Sequence, residues 1–273
     1  MRITTVNGQQ TEVVSAFDRG LAFGDGVFET CRVRQGRIPL WDYHRRRLEQ
    51  GLSKLSIPID MGLLERYRSE LLEADSRQDS VFKLTVTRGV TGRGYGFAGT
   101  ETPTVICSVS DAPSMNSEPV DLAVCETKLS CNSSLAGLKH LNRLENVLLK
   151  AECQSRGCGD GLALNELGDV IETTHSNVFV CRHSRWTTPR LNLSGVRGVM
   201  RQFLLDELGP SVGIEVAETE LSEADLLDVE SAFCCNSIRG LTQVRSINGR
   251  NLEVNGVDFQ RFQQGLKESR YSV

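Results

Sequence analysis

Long apolar runs are missing from this 273-residue chain. No stretch approaches the roughly 20 consecutive apolar residues that a membrane-spanning helix needs. An excess of basic charge is missing too. Thirty-one Lys and Arg stand against 35 Asp and Glu, a formal net charge of −4. That balance argues against non-specific attachment to nucleic acid or to an anionic membrane surface. Cysteine is plentiful, at nine, but zinc-ligand spacing is absent: there is no Cys-x-x-Cys pair and the four histidines are scattered. No metal centre is therefore expected. Cys31, Cys107, Cys181 and Cys234 fall in apolar, strand-like segments, where free cysteine acts as a small hydrophobe. Internal repeats and low-complexity segments are lacking. With no secretory signal and Met1-Arg2-Ile3-Thr4 leading straight into strand-like sequence, the expected location is the cytoplasm.

Strands are expected over 3–6, 26–33 and 37–40, and helices over 43–55, with Leu48, Leu52 and Leu55 at helical spacing, and over 63–72. Strands at 81–88 and 104–109 flank a glycine-rich loop at 89–99. The segment from Asp111 to Pro119 has no periodicity and two prolines, so a domain boundary is placed there. The expected division is a smaller domain at 1–112, a linker at 113–119 and a larger domain at 120–273. In the second half a strand at 120–127 precedes a helix at 140–154 whose buried face would be Leu141, Leu144, Val147, Leu148 and Ala151. A hairpin at 161–164 and 170–172 turns about Gly168-Asp169. A strand at 178–181, a helix at 199–208 and a capping box at Ser222–Asp225 come next, then strands at 232–235 and 241–244 and a helix at 259–267. Clusters of strands interrupted by helices, without regular alternation, indicate an α+β fold.

Three segments invite chemistry. Lys139 lies in Leu138-Lys139-His140-Leu141-Asn142-Arg143, after small apolar residues and near a cationic neighbour, surroundings that favour a nucleophilic amine. Glu172 ends the run Asp169-Val170-Ile171, and a carboxylate buried there would want a cationic partner. In Gly195-Val196-Arg197-Gly198-Val199-Met200-Arg201 a helix opens whose first amides, at Val199 and Met200, can point at a phosphate. Arg47 could add a guanidinium to such a site. Taken singly, each admits a plainer reading: a surface lysine, a strand-end acid, an ordinary helix start, a solvated arginine face.

Together they are more specific. Glu172-x-Thr174-x-x-Asn177-Val178-Phe179, then Thr188, then Val196-x-Gly198-Val199-x-Arg201, resembles the signature of the class IV aminotransferases. Trp186 departs from that pattern, which usually has a smaller aliphatic residue or Phe. Leu138–Asn142 is similar to the family's lysine segment, and Phe23-Gly24-Asp25-Gly26-Val27-Phe28-Glu29-Thr30 to its N-terminal active-site strand. The resemblance implies a two-domain fold-type IV architecture, like D-amino acid aminotransferase, with pyridoxal 5'-phosphate as cofactor and a homodimeric assembly. It implies Lys139 as the covalent anchor of the cofactor and Glu172 as the partner of the pyridine nitrogen. Arg47, Val199, Met200, Leu241 and Thr242 are the further cofactor contacts it implies, Thr30 a catalytic group, and Arg93 and Tyr95 substrate-carboxylate binders.

Three activities compete within that family: branched-chain aminotransferase, D-amino acid aminotransferase and 4-amino-4-deoxychorismate lyase. The runs Ala136–Glu145, Gly92-Arg93-Gly94-Tyr95 and Gly198–Gln202, with Thr30 after Phe28-Glu29, look most like the lyases. Aminotransferases tend to carry Ile-Thr-Arg where this chain has Val199-Met200-Arg201, and Val-Thr-Pro-Val where it has Leu241-Thr242-Gln243-Val244. The expected substrate is accordingly 4-amino-4-deoxychorismate, with release of pyruvate and 4-aminobenzoate for folate synthesis. A non-catalytic α+β binding module is the alternative from outside the enzymes.

Overall fold

A computed structural model describes residues 2–115 and 118–272. It divides into two units, Met1–Pro113 with Leu138–Asn142, and Ser114–Gly137 with Arg143–Val273. One feature differs from the expected division, which gave Lys139 to the C-terminal domain. The five residues around Lys139 belong with the first unit because their backbone pairs there: Phe28 N donates to Lys139 O, and Leu141 N to Gly26 O, both at 3.0 Å. Asn116 and Ser117, in the expected linker, lie outside the described residues.

In the first unit β1 (Ile3–Val6) and β2 (Gln9–Gln10) form a hairpin, followed by the short helix α1 (Arg19–Phe23). Then come β3 (Gly26–Arg34), α2 (Trp41–Lys54), α3 (Met61–Glu73), β4 (Asp79–Thr87) and β5 (Thr104–Asp111). The antiparallel sheet runs β2-β1-β5-β4-β3. Successive side chains of a strand point to opposite faces. Val27, Cys31 and Val33 of β3, opposite Val86, Phe82 and Ser80 of β4, share one face. The apolar residues of that face are buried with Leu48 and Leu52 of α2 and Leu64 of α3. Each such side chain contributes on the order of 1.5–3 kcal/mol by leaving water. Phe28 and Thr30 fall on the other face and are half-buried.

The second unit opens with β6 (Val120–Leu129) and α4 (Leu144–Arg156), then β7 (Asp160–Asn165), β8 (Val170–Thr173), β9 (Asn177–Arg182) and β10 (Arg185–Pro189). α5 (Val199–Phe203) runs through a π turn at Leu204–Leu208 into the single turn α6 (Gly209–Ser211). β11 (Val216–Thr219), β12 (Ser231–Asn236), β13 (Gly240–Ile247), β14 (Arg250–Asn251) and α7 (Val257–Glu268) complete it. The sheet order is β11-β10-β9-β12-β13-β6-β7-β8, with β14 beside β13. Pairs β10–β11, β13–β6 and β6–β7 are parallel and the rest antiparallel, the mixed sheet of an α+β fold.

Two expectations change. The helix expected from 140 starts at Leu144, because His140 and Leu141 are committed to bridging β3. Its buried side is Leu149 and Cys153, packed with Cys125 of β6 and Ala163 of β7. Leu144, Val147 and Leu148, assigned to the core by periodicity, are 70%, 59% and 52% exposed. The capping box does form, with Ser222 N donating to Asp225 Oδ2 at 2.8 Å and Asp225 N to Ser222 Oγ at 3.3 Å, but it opens only one 3-10 turn, Ala224–Asp228. Among the described residues no helix is long and apolar enough to cross a membrane.

Candidate active site

Lys139 is half-buried, and its Nζ lies 4.5 Å from the centroid of the Phe28 ring. The antiparallel bridge between Val27 and His140 holds this segment against β3. Thr30 is two residues from Phe28 and so shares its face of the sheet. A second cation faces the same ring: Lys83, opposite Thr30 on β4, places Nζ 5.4 Å from the centroid. Lys83 is exposed where Lys139 is half-buried.

On the opposite face of β3 the Glu29 carboxylate is fully enclosed. Arg47 grips it through Nε to Oε1 at 2.8 Å and Nη2 to Oε2 at 2.5 Å, and His44 Nδ1 lies 2.6 Å from Oε2. Burial pushes the Glu29 carboxyl up, but the Arg47 charge and hydrogen bond and the His44 contact overcome it and bring the pKa down to about 2. Burial also lowers the His44 pKa, more than the contact with Glu29 raises it. A neutral imidazole donating Nδ1–H to the carboxylate suits both. Of the three neighbouring arginines only Arg47 points inward. Arg45 pairs with Glu49 at 2.9 Å, and Arg46 stacks over Tyr43. Glu29, Cys31 and His44 bring ligand-type atoms within 4.8 Å of one another. The Arg47 guanidinium already on that carboxylate opposes a second cation there.

In the second unit Glu172, on β8, is buried, and its Oε2 accepts the Val196 amide at 2.9 Å. That amide belongs to the turn Gly195–Gly198, which Asn177 staples from β9. Its Nδ2 donates to Val196 O at 2.9 Å, and its Oδ1 accepts Gly198 N at 3.1 Å. Gly195 has φ +82°, a left-handed conformation open to glycine at little cost. A Cβ at Gly198 would land on Asn177 Oδ1. Gly198 then caps α5, so the amides of Val199 and Met200 fall in the first turn, where no carbonyl of the helix can reach them. Gly137, two residues before Lys139, joins the same turn: its N donates to Gly195 O at 2.9 Å and its O accepts Arg197 N at 3.1 Å.

Other signature residues hold the frame. Thr174 Oγ1 donates to Asp160 Oδ1 at 2.5 Å, and Thr188 Oγ1 to Val178 O at 2.8 Å. Arg201 is buried, bound to Pro189 O and Glu218. Trp186, the departure from the family pattern, is accommodated: it packs on Phe233 and edge-on to Phe262, and its Nε1 donates to Asp258 at 3.0 Å. Leu241 and Thr242 open β13 after Gly240, next to a corner where Asn236 Nδ2 donates to Ser176 Oγ at 2.9 Å. Of this framework Asp160 and Asn236 went unremarked in the sequence, because a buried polar staple has no local pattern.

Arg93 and Tyr95 are exposed on the 89–99 loop. A residue not foreseen organises that loop. The buried Arg19 donates from Nη1 to Gly94 O at 2.9 Å and Thr91 Oγ1 at 3.1 Å, and from Nη2 to Tyr95 O at 3.1 Å. Its Nε pairs with Asp25 at 2.8 Å, and Arg88 binds the same carboxylate while stacking over Phe97. Burial raises the Asp25 pKa, but the two arginines more than offset this and leave it below its ordinary value.

An aminodeoxychorismate lyase of Vibrio harveyi is 37% identical over 260 residues, 93% of this chain and 93% of that one. A D-alanine aminotransferase of Bacillus licheniformis is 26% identical over 237 residues, 86% of this chain and 83% of that one. The crystal structure of 4-amino-4-deoxychorismate lyase from Pseudomonas aeruginosa is similar at a TM-score of 0.91, with 36% identity, covering 98% of this chain and 99% of that one. The pattern of amino-transferase class IV matches residues 26–247, and the chain belongs to that family.

Proposed function

We propose that this protein is a 4-amino-4-deoxychorismate lyase, a pyridoxal-phosphate-dependent carbon–oxygen lyase that yields pyruvate and 4-aminobenzoate. The observation that carries the reading is identity above one third with lyases of two organisms over more than nine tenths of both chains. The donor set suits the cofactor. There is an amine at Lys139, a buried carboxylate at Glu172 for a protonated ring nitrogen, and first-turn amides at Val199 and Met200 for a phosphate.

Pyridoxal phosphate, when bound, supplies an aldehyde for an amine and a pyridinium ring that accepts electrons. Lys139 Nζ is assigned as the amine that would anchor the cofactor and as the base that would take the C4 proton of the substrate. Pairing with β3 fixes the Lys139 backbone, so the amine samples a small volume above the sheet. Glu172 is assigned to keep the ring nitrogen protonated, and the Val196 amide on its Oε2 sets the carboxylate's orientation. Arg47 is assigned to the phosphate with the Val199 and Met200 amides, and Leu241 and Thr242 to the cofactor's surroundings. Thr30, on the Phe28 face, is assigned to hydrogen-bond the substrate or to guide a proton to the departing pyruvate carbon. Arg93 and Tyr95 are assigned to the substrate carboxylates. Formation of an aromatic product provides the driving force, so these residues chiefly position the C4–H bond.

The homodimer is proposed on the family resemblance, supported by the apolar stripe Leu144, Val147 and Leu148 that α4 leaves exposed. Nine free cysteines support a reducing, cytoplasmic setting. The second reading is a D-amino acid or branched-chain aminotransferase, favoured by the similarity to D-alanine aminotransferase. Pyruvate release from aminodeoxychorismate without any added keto acid is the expected result. Turnover that needs 2-oxoglutarate would replace the lyase with the transaminase.

A further inference from the structure

Three of the nine cysteines meet at the junction of α4, β6 and β7, where the proposed reaction has no use for them. Cys125 and Cys153 are buried with their sulfurs 3.8 Å apart. Gly161 of β7 makes this approach possible, since a Cβ there would collide with both sulfurs. Cys158, just past the end of α4, is half-buried. Its thiol donates to Cys153 O at 3.4 Å and adjoins the Cys153 thiol. Cys125 and Cys158 also line a cleft of about 870 Å³, together with Lys128 and Arg156 and the acids Asp121, Glu126 and Glu223. Cys158 is the thiol of the trio most open to a small solute, whereas Cys125, buried where it meets the cleft, and Cys153 touch each other beneath it.

We infer that Cys158, Cys153 and Cys125 form a thiol relay that takes up a hydroperoxide at Cys158 and ends as a Cys125–Cys153 disulfide. The thiolate of Cys158 attacks the peroxide, forming a sulfenic acid as the O–O bond breaks and the departing oxygen takes a proton. Cys153 then attacks the Cys158 sulfur: the S–S bond forms, the S–O bond breaks, and water leaves with the thiol proton. Cys125 attacks the Cys153 sulfur and releases Cys158 as a thiol, its proton passing to the leaving sulfur. With hydrogen peroxide the sum is two thiols oxidised to one disulfide and one peroxide reduced to two waters. Entry at Cys158 follows from burial, which raises the Cys125 pKa and drives that of Cys153 above its ordinary value, so neither starts the sequence. The bridge would join residues 28 apart and tie together the two ends of the segment that contains Lys139.

Hydrogen peroxide, in modest excess over the cofactor-loaded protein, tests this by thiol titration under denaturing conditions and peptide mapping. The count should fall from nine to seven, with Cys125 and Cys153 in one bridge, and dithiothreitol should restore nine. Cys158→Ser should slow the loss about tenfold or more, and Cys125→Ser should halt it at a Cys153–Cys158 bridge. Nine thiols retained, loss confined to the half-buried Cys131, or an unslowed Cys158→Ser variant would overturn the relay. These readouts stand whether or not the protein is a lyase.

Discussion

A lysine that anchors a cofactor must be presented by backbone that does not drift, and Lys139 has that from two hydrogen bonds to β3, one at its own carbonyl and one at the Leu141 amide. Lys139→Ala is expected to abolish turnover and the visible absorbance band of the bound cofactor that borohydride erases. Lys83→Ala, removing the other amine near Phe28, should keep both. A dead Lys83 variant with an active Lys139 variant would move the anchor to β4. Glu172→Gln should still bind cofactor, but an amide holds a pyridinium poorly. About a hundredfold loss of turnover is expected, equivalent to about 2.7 kcal/mol of lost stabilisation, and wild-type rates in that variant would put the acid elsewhere. Glu29 answers to pH instead. Its ordinary value is 4.5 and its folded value about 2, so its contribution is whole above about pH 4.5 and drains away as pH falls towards 2. That contribution is about 3 kcal/mol. Denaturant titrations of wild type and Glu29→Gln should show their stability gap narrowing across that window, and a constant gap would break the assignment. The same ion pair complicates Arg47. Deleting it would strand a buried carboxylate, so stability and cofactor affinity would fall together.

At the scale of the element, the turn from Gly195 to Gly198 is the joint on which the proposed phosphate site depends. Glu172 holds it by the Val196 amide and Asn177 by Val196 O and Gly198 N, while Gly137 bridges to it from the chain leading into Lys139. Gly198→Ala would push a methyl onto Asn177 Oδ1, and the turn must shift to admit it. Losing one or two charge-assisted hydrogen bonds to a phosphate, each worth roughly 1.5–3 kcal/mol, predicts at least about a tenfold weaker affinity for pyridoxal phosphate. Fluorescence titration of the apoprotein measures it, and unchanged affinity would remove the Val199 and Met200 amides from the site. α4 shows a different lesson. Its stripe Leu144, Val147 and Leu148 keeps helical spacing yet faces outward, because Leu149 and Cys153 are the residues turned to β6 and β7. Periodicity identifies an apolar face without saying what covers it.

For the whole molecule the question is whether a site is completed by a second copy. Arg93 and Tyr95 sit on a loop that Arg19 and Arg88 tie to its own unit, and both stay exposed to solvent in the single chain. In the proposed two-fold dimer the loop serves the partner's site. Mixing Arg93→Ala subunits with Lys139→Ala subunits should then regenerate one intact site per heterodimer and recover activity that neither homodimer has. No recovery, with heterodimers shown to form, would return Arg93 to its own subunit's site or exclude it.

The amino-acid sequence by itself determined the α+β class, most strands and helices, and the family, because these follow from local periodicity and from short ordered motifs around Lys139, Glu172 and Gly198. Tertiary structure alone decided which unit the Lys139 segment joins, since backbone pairing with β3 has no signature in the segment itself. It also decided that Arg47 grips Glu29, that Asn177 staples the turn from Gly195 to Gly198 and that Arg19 holds the glycine loop. Those are buried polar contacts between residues 18, 21 and roughly 75 positions apart. Burial, not spacing, is what obliges such groups to find one another.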